Sequence, residues 1–132
     1  ATLFVGIFDP ATRELRWVNA GHNPQFVVRK NGGLERLEST GLPIGLIPGR
    51  GYVEQRVQLS AGDLLFFYTD GCVEAENVAG EMFGLEQLKE LLTAAAGVTA
   101  DQLLVRVEDA VSRFRAGREP SDDATMMVVK AG

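Results

Sequence analysis

Residues 64–69, Leu-Leu-Phe-Phe-Tyr-Thr, are apolar at successive positions and run directly into Asp70-Gly71. Strand side chains alternate between two faces, so a strand with no wet face must be covered on both sides. This requirement rules out a lone sheet with one face in water and asks for a layered domain with this strand inside it. The same strand delivers a carboxylate at its C-terminal end, and Glu74 and Glu76 follow within a few residues.

The rest of the chain supplies the layers. Residues 2–8 (TLFVGIF) read as a buried strand, Asp9-Pro10 opens a turn, and residues 14–20 (ELRWVNA) return as the second arm of a hairpin. Past the break at GHNP, QFVVRK and LERLE flank Asn31-Gly32-Gly33, a strong local hairpin signal. Residues 39–51, dense in Gly and Pro, form a loop, and residues 52–59 (YVEQRVQL) alternate like a strand with one wet face. Ser60–Asp63 turns the chain into the apolar strand.

Two helices follow. Residues 84–97 place Leu85, Leu88, Leu91, Leu92 and Ala95 on one face, with Gly97 as a C-terminal stop. Residues 99–117 open with Thr99 and Gln102 at capping-box spacing and end at Gly117. Leu103, Leu104, Val107, Val111 and Phe114 keep the helical period, and Arg113 and Arg115 suit the negative end of the helix dipole. A last strand, residues 124–130 (ATMMVVK), closes the order. Antiparallel strands, then a helical pair, then one returning strand predict an α+β layered domain. A chain of 132 residues suits one such domain, residues 1–132.

Charge and composition narrow the function. The net charge is −5 and no Lys/Arg cluster stands out, which argues against nucleic acid as a partner. No apolar run is long enough to span a bilayer, so no membrane contact is expected. The single Cys72 excludes an internal disulfide and fits a reducing, cytoplasmic location. One Cys and one His do not make a Cys/His zinc cluster.

The strongest constellation joins two distant places. Asp70 sits at the end of one apolar strand, and Asp122 and Asp123 sit just ahead of another. If the two strands are antiparallel neighbours, the exit of one lies beside the start of the other, and the acids meet at one sheet end. Carboxylates crowded in a low dielectric must be protonated, solvated or metal-bound. Oxygen ligands at a rigid sheet end suit Mg²⁺ or Mn²⁺. Glu74 reaches the same end if the chain turns at Gly71. Asp-Gly and Ser-Asp-Asp are also ordinary turn chemistry, and that reading stays open. His22, in NAGHNP, is open to a metal or acid–base role, or to a turn whose side chains bond the backbone. The glycines of residues 39–51 lack the strand–loop–helix order of a phosphate-binding fingerprint. Cys72 reads as a packing residue, since no base accompanies it.

Together, NAGHNP, TGLPIGL, LSAGDLLFFYTDGCVEAEN, GEMFGLEQL and SDDATMMVV stand in the order and spacing of a known family. The chain resembles the SpoIIE/RsbU-like branch of the metal-dependent (PPM, type 2C-like) Ser/Thr protein phosphatases over essentially its whole length. The resemblance implies an α-β-β-α sandwich of two antiparallel sheets flanked by helices. It implies two Mn²⁺ or Mg²⁺ ions, with a third, weaker site, and direct attack of a bridging water on phosphorus. The implied substrate is phosphoserine or phosphothreonine on a regulatory protein of the anti-sigma-factor-antagonist type, within partner-switching control of bacterial transcription. By the same resemblance Asp70 and Asp122 are metal ligands, and Glu74 stands where relatives carry an acid linked to the third metal. Gly71, Asp123 and Thr125 are their neighbours in the two motifs, and His22 falls where other branches carry an acid.

Family members carry a Gly-Asp motif and an Asp-x-x-Gly-His-Gly motif ahead of the part seen here. The chain is therefore expected to be the C-terminal portion of the domain, short of one helical layer and part of its metal shell. It is expected to be weakly active or inactive by itself, and to expose an apolar face that pairs with another chain, a homodimer being one form. The alternative reading is a non-catalytic regulatory or partner-binding module with the same fold.

Overall fold

A computed structural model describes residues 1–45, 49, 51–118 and 124–132. Among the described residues, seven strands form two antiparallel sheets. The first sheet has the order β1-β2-β5, from β1 (Leu3–Asp9), β2 (Glu14–Ala20) and β5 (Gln55–Gln58). The second has the order β4-β3-β6-β7, from β3 (Gln25–Val28), β4 (Leu34–Leu37), β6 (Leu64–Tyr68) and β7 (Met126–Lys130). Both expected hairpins are present, β1 with β2 and β3 with β4.

β6 lies inside its sheet between β3 and β7, as its two apolar faces require. Its alternate residues serve two cores. Leu65 and Phe67 point between the sheets and pack with Leu15, Trp17, Val27 and Leu37. Leu64, Phe66 and Tyr68 point the other way, onto the helices α2 (Leu85–Ala94) and α3 (Ala100–Arg115). Burying a large apolar side chain contributes about 1.5–3 kcal/mol, and Leu64, Leu65, Phe66 and Tyr68 are all at most 3% exposed. α3 begins with the expected capping box. Thr99 accepts from the Gln102 backbone, and the Gln102 side chain accepts from the Thr99 backbone. It ends on Ala116 in a left-handed conformation, followed by Gly117.

Both long helices pack on the second sheet. Among the described residues the outer face of the first sheet carries no helix, and Leu3, Val5 and Ile7 are 45%, 50% and 59% exposed there. An apolar cleft of about 700 Å³ opens between the edges of β1 and β7, lined by Phe4, Phe8, Phe67, Met127 and Val129, with Thr2 and His22 at one end.

Two local expectations are corrected. The strand expected over residues 52–59 is paired only at Gln55–Gln58, against Glu14–Trp17. The place beside the end of β2 is already taken. Thr40 N donates to Asn19 O at 2.8 Å, Asn19 N donates to Thr40 Oγ1 at 3.1 Å, and Gly41 bridges Ala20. The second correction is β1, expected as a buried strand, whose Leu3, Val5 and Ile7 are exposed; after β6 the chain enters a single helical turn, α1 (Asp70–Val73).

Candidate metal centre

β6 ends at Tyr68, and Thr69 pairs across to the start of β7. Thr69 N donates to Thr125 O at 3.0 Å, and Thr125 N donates back to Thr69 Oγ1 at 3.0 Å. The antiparallel pairing of β6 with β7 thus brings Thr125 beside the residue that precedes Asp70. Asp122 and Asp123, the other expected acids, lie outside the described residues.

Asp70 is half-buried in the first turn of α1. The one-turn helix buries Gly71, Cys72 and Val73, and Glu74 N closes it on Asp70 O at 2.9 Å. Glu74 is exposed at its end, four residues on, a spacing that puts i and i+4 on one side of a helical turn. After it, the chain is tied to the end of α3. Arg118 forms an ion pair with Glu76 at 3.0 Å and donates to Asn77 O at 3.0 Å.

The NAGHNP segment wraps this end of β6. Asn23 Nδ2 donates to Asp70 Oδ1 at 2.6 Å. Gln25 Oε1 accepts from Tyr68 N at 2.8 Å, and the Tyr68 hydroxyl donates to Pro24 O at 2.7 Å. Burial raises the Tyr68 pKa, and at high pH a Cys72 thiolate and the Asp70 carboxylate add to it, so the phenol keeps the proton it donates. His22 Nε2 lies 3.4 Å from the Tyr68 carbonyl, and Nδ1 lies 3.3 Å from Thr2 Oγ1. A carbonyl only accepts, so Nε2 carries the hydrogen in that contact. His22 thus links the start of β1 to the end of β6.

Sequence reasoning gave NAGHNP, with Asn19 and Asn23, only a turn whose side chains bond the backbone, as Asn19 does to His22 N, and gave Gln25 no part. The Asn23 amide reaches Asp70 across 47 residues and the Gln25 amide reaches Tyr68 across 43, and no local spacing rule marks such contacts.

Among the described residues no group of three or more His, Cys, Asp or Glu could hold a metal, and the carboxylate oriented at this end is that of Asp70. Hard donors of this type fit Mg²⁺ or Mn²⁺. The thiol nearby, Cys72, is unsuited to ligation. Cys72 is fully buried, with Sγ 3.9 Å from Met126 Sδ. Burial pushes its thiol up to about 11, with Arg115 acting the other way, so it stays protonated.

Comparison with known proteins agrees with this architecture. The family profile described as Stage II sporulation protein E (SpoIIE) matches residues 1–132. The chain belongs to the SpoIIE family. It is 33% identical over 129 residues to Protein IcfG of Synechocystis sp., a match covering 98% of this chain and 20% of that protein. It is 22% identical over 130 residues to phosphoserine phosphatase RsbU of Bacillus subtilis, covering 98% of this chain and 38% of RsbU. The manganese-presoaked phosphatase domain of SpoIIE from Bacillus subtilis superposes with a TM-score of 0.75 at 26% identity, over 98% of this chain and 56% of that one. The chain therefore spans only part of the length of each of these relatives. It is a SpoIIE/RsbU-like member of the PPM phosphatases, with their two-sheet α+β fold.

Proposed function

We propose that the chain forms part of a metal-dependent protein serine/threonine phosphatase site. Asp70 and Asp122 are its metal ligands for two Mn²⁺ or Mg²⁺ ions, and Glu74 serves a third, weaker site. Gly71, Asp123, Thr125 and His22 have supporting roles in this reading. The observation that carries this reading is the fixed Asp70 at the end of the central strand, its Oδ1 held by Asn23 at 2.6 Å. β7 runs antiparallel beside β6, and Asp122 stands three residues before Thr125 in the sequence. When bound, the metals supply Lewis acidity toward a phosphoryl group and acidify water at neutral pH. The protein's part is to hold the acids on a rigid post. β6 is clamped by two cores, and Asn23 fixes the carboxylate it presents.

The substrate class is a phosphoserine or phosphothreonine protein of the anti-sigma-factor-antagonist type, acted on in the cytoplasm. The naming of RsbU as a phosphoserine phosphatase supports that class. Among the described residues no helix is long and apolar enough to cross a membrane. The 132 residues alone are weakly active or inactive, the remaining metal ligands coming from elsewhere. The apolar stripe Leu3, Val5 and Ile7 favours pairing with another polypeptide surface, a second copy included. The same stripe favours the second reading, a non-catalytic partner-binding module.

The deciding experiment measures Mn²⁺-dependent release of phosphate from a phosphoserine protein by the natural-length protein, beside Asp70→Asn. Loss of activity in the variant is expected. Activity that survives the substitution removes the metal role from Asp70. Absence of Mn²⁺ binding even at millimolar concentration favours the module instead.

A further inference from the structure

We propose that Asn23 is a positioning residue for Asp70, an inference that rests on the metal-dependent reading above. An asparagine in a turn ordinarily spends its side chain on the backbone nearby. In NAGHNPQ that local work is done by others. Asn19 Oδ1 accepts from His22 N at 2.8 Å, and Asn19 Nδ2 donates to the carbonyls of Asn23 and Leu37 at 3.3 and 3.1 Å. Gln25 Nε2 donates to the Asn23 carbonyl at 3.0 Å. The Asn23 amide instead reaches 47 residues along the chain and donates to Asp70 Oδ1 at 2.6 Å.

An amide donor on one carboxylate oxygen fixes the plane of the group and takes up one of its lone pairs. The carboxylate that a cation meets is then oriented before the cation arrives, which is the work of outer partners in metal sites. The base of this brace is rigid. Asn19 and Gln25 are 0% and 1% exposed, and buried amides that give up their partners in an apolar surrounding go unpaired at high cost. Gln25 also accepts from Tyr68 N, so the same side chain that holds Asn23 holds the end of β6. The brace and the strand it serves are therefore fixed to each other.

The test is a Mn²⁺ titration by calorimetry of the natural-length protein as wild type, Asn23→Ala and Asn23→Leu, with melting temperatures in a chelator. Asn23→Leu keeps the branched outline of the side chain without the amide and carries the test if Asn23→Ala does not fold. The expected result is a rise of about 10- to 100-fold in the Mn²⁺ dissociation constant, typical of losing an outer partner. A variant that melts earlier in chelator yet binds Mn²⁺ as tightly as wild type assigns Asn23 to folding alone and overturns the inference. Wild-type protein that binds no Mn²⁺ overturns the metal reading and this inference with it. Binding by wild type with unchanged variants overturns this inference only.

Discussion

Asp63, in the turn ahead of β6, is the residue whose loss the structure prices most directly. Its side chain is 3% exposed. Oδ1 accepts from Lys30 N at 2.8 Å, and Oδ2 accepts from Ser60 N at 2.8 Å and from Arg29 Nη1 at 2.7 Å. Asp63→Ala strands the two backbone donors and removes one partner of the guanidinium, which keeps Glu35 and the Gln58 carbonyl. Each orphaned buried donor costs about 1–3 kcal/mol, and breaking a buried charge pair from one side costs about 3–5 kcal/mol. These overlapping terms give an expected loss of about 4 kcal/mol. Asp63→Asn keeps the shape and one acceptor, and is expected to lose about half as much.

The pH dependence gives a second, independent check. Burial alone would raise the Asp63 carboxyl, but the Lys30 and Ser60 backbone donors and the Arg29 guanidinium outweigh it and hold it below its ordinary 3.8. A carboxyl with a lowered folded pKa contributes stability that is fully present above its unfolded pKa and is lost as pH falls through the folded one. The gap between wild type and Asp63→Asn is therefore constant above the ordinary value and closes below it. Urea unfolding followed by the fluorescence of Trp17, the single tryptophan, measures both effects between pH 7 and pH 2. A loss below about 1 kcal/mol for Asp63→Ala, or a gap that does not close in acid, refutes the reasoning.

Three further outcomes are expected. Gly21 has φ +70°, and a Cβ there would lie 2.6 Å from Pro43 Cγ, so Gly21→Ala should cost about 1–3 kcal/mol and lower the melting temperature; an unchanged melting curve contradicts this. Cys72 should resist Ellman's reagent at pH 8 in the native protein and react once urea unfolds it, whereas rapid native labelling would show that the thiol is neither buried nor raised. Ile7→Lys on the bare outer face should change stability by less than about 0.5 kcal/mol while reducing self-association in light scattering; an unaltered mass with concentration removes that face as a contact surface.

Much of the fold was legible because its signals are local. Asp9-Pro10 and Asn31-Gly32-Gly33 mark the two hairpins, and Thr99 with Gln102 marks the start of α3. The two apolar faces of residues 64–68 predicted a central strand, and β6 is one. The shortened β5 was not legible, because the competitor for its place beside β2 is the Ser39–Gly41 segment, brought there by tertiary contacts. The single turn of α1 is too short to show a helical period. Asp70 stood out through its position at the end of an apolar strand, whereas Asn23 sat in a motif that reads as a turn. Asp63 was likewise read as turn chemistry, since nothing near it in sequence shows that Arg29 and Lys30 close over it.

The contacts that frame Asp70 have a kinetic consequence. Asn23 and Asp70 are separated by 47 residues, Gln25 and Tyr68 by 43, and Thr69 and Thr125 by 56. Contacts this distant along the chain are rewarded only after a long loop has closed, so they form late in folding. β7 follows both long helices in chain order, and a growing polypeptide cannot pair it with β6 until those helices have been made. The hairpins can form on their own, but the acid end of β6 is framed only when β7 has docked. An ion captured there would mark the completion of folding, and an unfinished chain would offer metal only a loose carboxylate.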